Sequence, residues 1–174
     1  IKSIPGCEFV APGTAKQFLQ LFNQSYRNGN PTFFRISDHP NITYDVDVEF
    51  GKAVVMQKGS KATVIAVSVM LDDVMEVCRD KDVTVLYYTT LEPFDRETLA
   101  NNCQNGKILV CEPEYEGSLL YDIYKSLPNT ALKIEEVAFP REIFRNYGTY
   151  KEKLDYYGLT KTNVRCKLER LIGE

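Results

Sequence analysis

Two kinds of hydrophobic pattern alternate along this chain, and together they predict an α/β arrangement. Apolar runs rich in β-branched and aromatic residues predict buried strands, and the clearest are residues 83–88 (VTVLYY) and 107–111 (KILVC). Between them, Asp95 can cap a helix because its carboxylate can accept a backbone N–H of the first turn, and Gly106 can end that helix. Residues 83–117 are therefore predicted to form one β–α–β unit.

The same patterns divide the chain into two parts. Residues 1–38 hold a short strand, a helix capped by Thr14 and a strand entered through Pro31, a piece too small to bury both of its faces. Residues 39–50 are polar and turn-rich, which is typical of a linker. Residues 51–174 follow with a regular α/β rhythm. Because the first residues show neither a methionine nor a signal-type pattern, we expect the chain to be a portion of a longer polypeptide.

The second part is predicted to be a three-layer α/β/α domain with a mostly parallel sheet. The turn at residues 58–61 is too short for a parallel crossover, so the strand that precedes it is predicted to be the one antiparallel member. The predicted strands are 53–57, 62–67, 83–88, 107–111 and 131–137. The predicted helices are 70–79, the segment after Asp95, 119–126, 142–147, 150–156 and 160–172.

Composition and charge narrow the range of partners. The chain is 44% hydrophobic and 26% charged, as a globular protein is, and its formal net charge of −3 argues against a nucleic acid or an anionic membrane as partner. No apolar run approaches the ~18 residues that cross a bilayer. Five widely spaced cysteines and one histidine provide no zinc-ligand spacing. The lack of a disulfide pattern suits a reducing compartment, and we expect a cytoplasmic location.

Several segments, taken in order, resemble motifs of the transketolase superfamily and cover nearly the whole chain. LEPFDRETL (residues 91–99) is similar to the family's L-K-P-L-D-x-E-x-I turn and helix, and GKILVCEPEYEG (residues 106–117) is similar to its G-R-I-L-x-V-E-E strand and loop. The other matching segments are IPGCEFVAP, PTFFR, FGKA with KGSKATVIA, and YYGLT. Residues 1–38 thus resemble the closing elements of the family's pyrimidine-binding domain, and residues 51–174 resemble its C-terminal domain.

The resemblance implies a parent enzyme that depends on thiamine diphosphate and Mg²⁺ and that cleaves or forms a bond next to the carbonyl of a ketose or 2-oxo substrate. The family's G-D-G diphosphate–magnesium motif and its cofactor-activating glutamate are not found in this sequence. We therefore assign no catalytic, cofactor-binding or metal-binding residue, and we expect the chain alone to be inactive. The expected partners are upstream cofactor-binding domains or a separate subunit, within a homodimer that this domain supports.

Two alternatives to a transketolase-like transferase remain open. One is the β subunit of a 2-oxoacid dehydrogenase, whose distinguishing sign would be an α subunit encoded alongside. The other is a non-catalytic module for interaction or dimerisation. A free-standing dinucleotide-binding domain is disfavoured because no G-x-G-x-x-G sequence follows a predicted strand.

The loop after the strand at residues 31–36 contains the substrate-binding candidates Arg35, Ser37, Asp38 and His39. Open α/β sheets bind ligands in such loops, at the C-terminal ends of their strands. In many relatives arginines after this strand grip a substrate phosphate, and here Asp38 stands in the register of the second one. Because a carboxylate repels phosphate, the resemblance implies an acceptor without a terminal phosphate, or one whose phosphate is held by Arg35 or by residues from elsewhere. The alternatives are that Asp38 or an upstream carboxylate is the ion-pair partner of Arg35, and that His39 is a solvated linker residue.

Three further features receive structural interpretations. Glu112, Glu114 and Glu116 could form an acid–base cluster, but we expect a solvated loop that caps the helix after residue 117. Residues 67–69 (VSV) replace the glycine that usually follows the second strand in the family. The aromatic side chains of the tail are expected to form a satellite core or a subunit contact. They are Phe139, Phe144, Tyr147, Tyr150, Tyr156 and Tyr157.

Overall fold

The computed structural model describes residues 2, 4–145 and 147–173. Its strands are β1 Glu8–Val10, β2 Thr32–Phe34, β3 Val54–Gln57, β4 Thr63–Val67, β5 Thr84–Tyr88, β6 Thr90–Glu92, β7 Lys107–Tyr115 and β8 Lys133–Phe139. Its helices are α1 Ala15–Ser25, α2 Leu71–Cys78, α3 Arg96–Asn102, α4 Leu120–Ser126, α5 Tyr150–Tyr156 and α6 Lys161–Ile172. No helix among the described residues is long and apolar enough to cross a membrane.

The main sheet has five strands in the order β3-β5-β4-β7-β8. β4, β5, β7 and β8 are parallel, and β3 is antiparallel to its neighbour β5, so the predicted mostly parallel sheet with an antiparallel member is confirmed. β3 pairs with β5 rather than with β4 because the turn at residues 58–61 passes across the start of β5. Gly59 permits this crossing, since a Cβ there would lie 2.3 Å from the Val83 backbone nitrogen.

Helices cover both faces of the main sheet, as the three-layer prediction requires. Successive side chains of a strand point to opposite faces, and those of β4 divide accordingly. Val64 and Ala66 pack with α2 and α6, whereas Ile65 and Val67 pack with α3 and α4. All four side chains are fully buried. Because both faces are covered, the central strands β4 and β5 are buried along their whole length, and this explains their continuous apolar runs in the sequence.

A smaller sheet with the order β2-β1-β6 connects the two parts of the chain. β1 is parallel to β2 and antiparallel to β6. β6 lies in the segment that was predicted to be only a turn, and the Ala11 N–H extends its pairing by donating to the Thr89 carbonyl (2.7 Å). The division into residues 1–38, 39–50 and 51–174 stays a prediction.

The end of the predicted linker is bound along α1. Side-chain amides of Gln17, Gln20 and Gln24 bond to the backbone of residues 46–50 at 2.7–3.3 Å. These glutamines recur at i, i+3 and i+7, so they lie on one face of the helix. The extended backbone of this segment is therefore satisfied by α1 and does not depend on water alone.

The N-terminal helix caps were predicted well, but the end of α3 and one helix of the tail were not. Gly106 was predicted to end α3, which instead ends at Asn102 with Cys103 as its C-cap. Thr14 and Asp95 cap α1 and α3 as expected. The predicted helix at residues 142–147 is wrong for residues 142–145 and 147, which are not helical; Asn146 lies outside the described residues. Phe144 instead packs with Phe139 and Tyr157. A helix of six residues makes few backbone hydrogen bonds, so these ring contacts determine the path of the chain.

Candidate functional site

The loop that contains the predicted substrate-binding residues begins where β2 ends. It lies beside the C-terminal ends of β4 and β7. The Arg35 N–H donates to the Val10 carbonyl (2.8 Å), which continues the β1–β2 pairing to the first residue of the loop. The Arg35 side chain then crosses to β7. Parallel strands present their carboxyl ends at one edge of a sheet, so loops from both sheets meet there.

Arg35 is half-buried and is anchored to β7 through one nitrogen. Its Nη1 donates to the Pro113 carbonyl and to the Glu114 carboxylate. Burial raises the pKa of Glu114, and the adjacent Arg35 charge opposes that rise. The interpretation of Asp38 as the partner of Arg35 is therefore wrong. The Asp38 carboxylate is 78% exposed and contacts His39 Nδ1 at 3.1 Å.

Three of the four predicted site residues line one cavity of about 300 Å³, which we call the Arg35 cavity. They are Arg35, Ser37 and Asp38, and the other walls come from Ser68, Val69, Pro113 and Tyr150. His39 stands beside this cavity, where its ring packs edge-on against Tyr150 with centroids 5.6 Å apart. The structure thus gathers the predicted residues around Tyr150, which the sequence did not indicate.

Tyr150 is the first residue of α5 and a wall of the site. Burial raises its pKa to about 12, and the nearby Arg35 charge and a hydrogen bond with Ser37 oppose the rise. The phenol is therefore neutral at physiological pH and can donate or accept a hydrogen bond. Thr149 and Glu152 form a capping box that fixes the start of α5 and so the position of the ring.

Glu112 contradicts the prediction of a solvated loop, because it lies inside β7 and is fully buried. Ser118 Oγ donates to Glu112 Oε2, and Oε1 has no hydrogen-bond partner among the described residues. Burial raises the pKa of this carboxyl to about 8, so it is mostly protonated at pH 7. Glu114 is also largely buried, and only Glu116 is exposed as expected. Glu112 directly follows the apolar run 108–111, which could have indicated its burial.

A buried polar junction ties α1 to the ends of β4 and β5. Gln17 Oε1 accepts bonds from the Gly13 N–H (2.9 Å) and from the Tyr87 hydroxyl (2.8 Å). Asn41 Nδ2 donates to the Ser68 carbonyl (3.0 Å). Burial raises the pKa of Tyr87, so its hydroxyl remains a donor. Sequence reasoning missed this junction because its members are far apart in the chain.

Ser68, within the segment predicted to replace the family's glycine, has a backbone conformation that favours glycine. Its φ of 54° lies in the left-handed region, where residues other than glycine are strained. Its Oγ donates to the Pro12 carbonyl at 3.1 Å. The hydroxyl therefore offsets part of the backbone strain by linking β4 to the N-terminal part.

Another cavity, of about 830 Å³, lies between the first residues of the chain and helices α3 and α4. Two of its three basic residues, Lys2 and Arg96, both pair with Asp122, at 2.8 and 2.9 Å, and the third, Arg141, donates to the Glu116 carbonyl. Within residues 2, 4–145 and 147–173, no group of three or more His, Cys, Asp or Glu side chains is placed to hold a metal ion. We assign these residues no step through a metal or through thiamine diphosphate.

Curated relatives match the chain over different lengths. It is 25% identical, over 99% of its length, to an uncharacterized 33.6 kDa protein in the fasciation locus of Rhodococcoides fascians, of which it covers 56%. It is 21% identical, again over 99% of its length, to the 1-deoxy-D-xylulose-5-phosphate synthase of Francisella philomiragia, of which it covers 29%. It is 27% identical, over 64% of its length, to the mitochondrial pyruvate dehydrogenase E1 component subunit beta of Dictyostelium discoideum, of which it covers 36%. The chain thus spans less than two thirds of each of these relatives.

Solved structures of transketolases share the fold of this chain, and a family model matches its sequence. A split gene transketolase, described as an inactive beta4 tetramer, matches with a TM-score of 0.82 at 20% identity, over 98% of this chain and 59% of that one. Transketolase from Campylobacter jejuni matches with a TM-score of 0.67 at 13% identity, over 96% of this chain and 26% of that one. The model described as "Transketolase, C-terminal domain" matches residues 51–164. Because that match covers well over half of the sequence, the chain belongs to the transketolase C-terminal domain family.

Proposed function

We propose that the chain is the C-terminal portion of a transketolase-like transferase that depends on thiamine diphosphate and Mg²⁺ and acts on a ketose or 2-oxo substrate. The observation that carries this proposal is the extent of the likeness to 1-deoxy-D-xylulose-5-phosphate synthase, which reaches over 99% of the chain. The likeness to the pyruvate dehydrogenase β subunit reaches over 64%. The β subunit of a 2-oxoacid dehydrogenase is therefore the second choice.

In the proposed enzyme, upstream domains or another subunit hold the cofactor and the metal ion. The described residues would shape the substrate entrance and support the assembly of a cytoplasmic homodimer. This division of labour rests on the sequence, in which neither the G-D-G motif nor the cofactor-activating glutamate is found.

Arg35 is the proposed substrate anchor, with Ser37, Asp38 and His39 around it. Its Nη1 is engaged by β7, whereas Nε and Nη2 make no hydrogen bond within the described part of the chain. Two guanidinium nitrogens, which carry three N–H donors, therefore remain for an oxygen of the substrate. The exposed Asp38 carboxylate lines the same cavity and would repel a phosphate there. This arrangement favours a substrate whose distal end is polar but uncharged.

Reconstitution tests the proposed activity. The chain is co-produced with the cofactor-binding portion, and consumption of a 2-oxo donor such as pyruvate or hydroxypyruvate is measured with an unphosphorylated aldehyde acceptor. We expect turnover by the complex and none by the chain alone. A complex that binds thiamine diphosphate but consumes no ketose or 2-oxo donor would contradict the proposal. Tight calorimetric binding of thiamine diphosphate and Mg²⁺ to the chain alone would contradict the assignment of the cofactor site elsewhere.

The second candidate function, assembly, is favoured by an exposed apolar face on α1. Its exposed members are Leu19, Phe22 and Tyr26, and Phe34 of β2 packs against Phe22 beneath them. Phe22 stacks on Tyr26 with centroids 5.2 Å apart, which gives the face a rigid aromatic surface. Contiguous apolar patches of this kind are typical of protein interfaces.

Oligomeric state tests the assembly role. We expect light scattering to show self-association of the chain that Phe22→Glu weakens. Tyr121→Glu is the matched control, because Tyr121 is an exposed aromatic residue on α4, away from this face. A chain that is strictly monomeric at high concentration would remove the support for this role.

A further inference from the structure

A second cavity adjoins the Arg35 cavity and shares Arg35, Pro113 and Tyr150 with it. Its volume is about 310 Å³. The side chains that it does not share are Glu114, Tyr115, Phe139, Phe144 and Lys153. We call it the aromatic cavity, because four of its walls are phenyl or phenol rings. It shares Arg35, the proposed substrate anchor, but none of Ser37, Asp38 and Ser68 lines it, so it is a neighbouring subsite of the proposed substrate site.

The rings of the aromatic cavity are tilted against one another. The Phe144 centroid lies 5.1 Å from that of Phe139 at an interplanar angle of 58°, and 5.8 Å from that of Tyr115 at 47°. Tilted rings offer both an edge and a face to a further ring, which is the geometry that aromatic pairs prefer. An apolar cavity of about 150 Å³ binds benzene, so a cavity of twice that size can hold one ring with a polar substituent.

The charges around the aromatic cavity leave an excess of positive charge. Glu114 neutralises Arg35, to which it is directly bonded. Lys153 is half-buried, and its ammonium makes no ion pair or hydrogen bond within the described part of the chain. The Nε and Nη2 donors of Arg35 are also unused there. An anionic group would meet unsatisfied donors from both side chains.

We propose that the aromatic cavity binds a monocyclic aromatic carboxylate. Its ring packs against Phe144 and Tyr115, and its carboxylate accepts hydrogen bonds from Lys153 and Arg35. Such a ligand satisfies the apolar walls and the excess charge together, whereas a sugar phosphate would satisfy only the charge. The proposal requires neither the cofactor nor turnover, so it can fail while the proposed transferase function stands.

Calorimetric titration of the full chain with benzoate tests the proposal. We expect saturable binding at one site, which Lys153→Met weakens roughly ten-fold, the loss expected for one charge-assisted hydrogen bond. Lys151→Met is the matched control, because Lys151 is an exposed lysine on the same helix that does not line the cavity. Phe144→Leu should also weaken binding, whereas Ser37→Ala, in the Arg35 cavity alone, should not.

Three probes separate this site from simpler ones. Benzyl alcohol lacks the charge and acetate lacks the ring, so each should bind at least ten-fold more weakly than benzoate. Inorganic phosphate should not compete with benzoate. The proposal is overturned if acetate or phosphate binds as tightly as benzoate, since that describes a general anion site. It is equally overturned if benzoate does not bind, or if Ser37→Ala removes binding while Phe144→Leu does not.

Discussion

Replacing Glu112 by glutamine should stabilise the fold, by an amount that grows with pH. The folded-state pKa of this buried carboxyl is about 8, against an ordinary value of 4.5. Above pH 4.5 the unfolded chain loses this proton while the folded chain keeps it, so the folded state becomes less favourable as the pH rises. Each pKa unit corresponds to about 1.4 kcal/mol, so the penalty is about 3 kcal/mol at pH 7 and approaches about 5 kcal/mol above pH 8.

Glutamine preserves the shape of the side chain and can still accept the hydrogen bond from Ser118. It buries an unpartnered NH2 group where the protonated acid buries an unpartnered hydroxyl, so the two forms should differ little near pH 4.5 compared with the effect of charge at higher pH. The variant should therefore exceed the wild type in free energy of unfolding by about 3 kcal/mol at pH 7. Urea denaturation followed by circular dichroism at several pH values between 4.5 and 8 measures this difference.

The decisive result is how the difference in free energy of unfolding between the variant and the wild type changes with pH. A change in packing alone would give the same difference at every pH. A stability difference that does not change between pH 4.5 and 8 would refute the reasoning. Glu116→Gln is the control, since Glu116 is exposed in the following loop and should change stability by less than about 0.5 kcal/mol at each pH.

Three further substitutions test contacts near the C-terminal ends of β2 and β4. Gly13→Ala should lower the free energy of unfolding by about 1–3 kcal/mol, because the new Cβ would lie 2.2 Å from Asn41 Nδ2 and 2.7 Å from the Ser68 carbonyl oxygen; an unchanged urea midpoint would contradict this. Asp72→Ala should lower it by about 2 kcal/mol and speed amide exchange at residues 42–44, whose three N–H groups donate to this carboxylate at 2.6–3.0 Å. Protection there as strong as in the exposed-site control Asp80→Ala would disprove that role. In the assembled enzyme, Asp38→Arg should lower the KM for phosphorylated substrates roughly ten-fold, because a charge-assisted anchor contributes about 1.5–3 kcal/mol. Equal effects on phosphorylated and unphosphorylated substrates would mean that Asp38 is structural.

The centre of the main sheet was predictable because β4 and β5 are covered on both faces. Residues 63–67 and 84–88 are buried without exception, so their sequences are continuous apolar runs that require no knowledge of the partner strand. β6 was not predictable for the opposite reason. It has three residues, and its pairing depends on β1, which lies about eighty residues earlier in the chain. Local pattern carries no information about such a distant contact.

The candidate site was predictable in its residues but not in its contacts. Arg35 stood out because a guanidinium on an apolar strand requires a partner. The partner, Glu114, lies 79 positions away, and only the fold brings the two together. Asp38 was the nearest carboxylate in sequence, yet it remains exposed. Proximity along the chain was therefore a poor guide to ion pairing at a sheet edge where loops from distant strands meet.

Several locally unfavourable features lie near the C-terminal ends of the parallel strands, and core packing explains none of them. Ser68 has a left-handed backbone conformation, which is strained for a residue with a Cβ. Glu112 is a buried acid with an oxygen that has no partner within the described residues. Within the described residues, Lys153 and the Nε and Nη2 nitrogens of Arg35 have no side-chain partner beside small cavities. Sequences that fold well violate local rules chiefly where function requires it. The same reasoning does not apply to the opposite edge of the main sheet, where Asn105 and Asp82 satisfy the turn at residues 58–61.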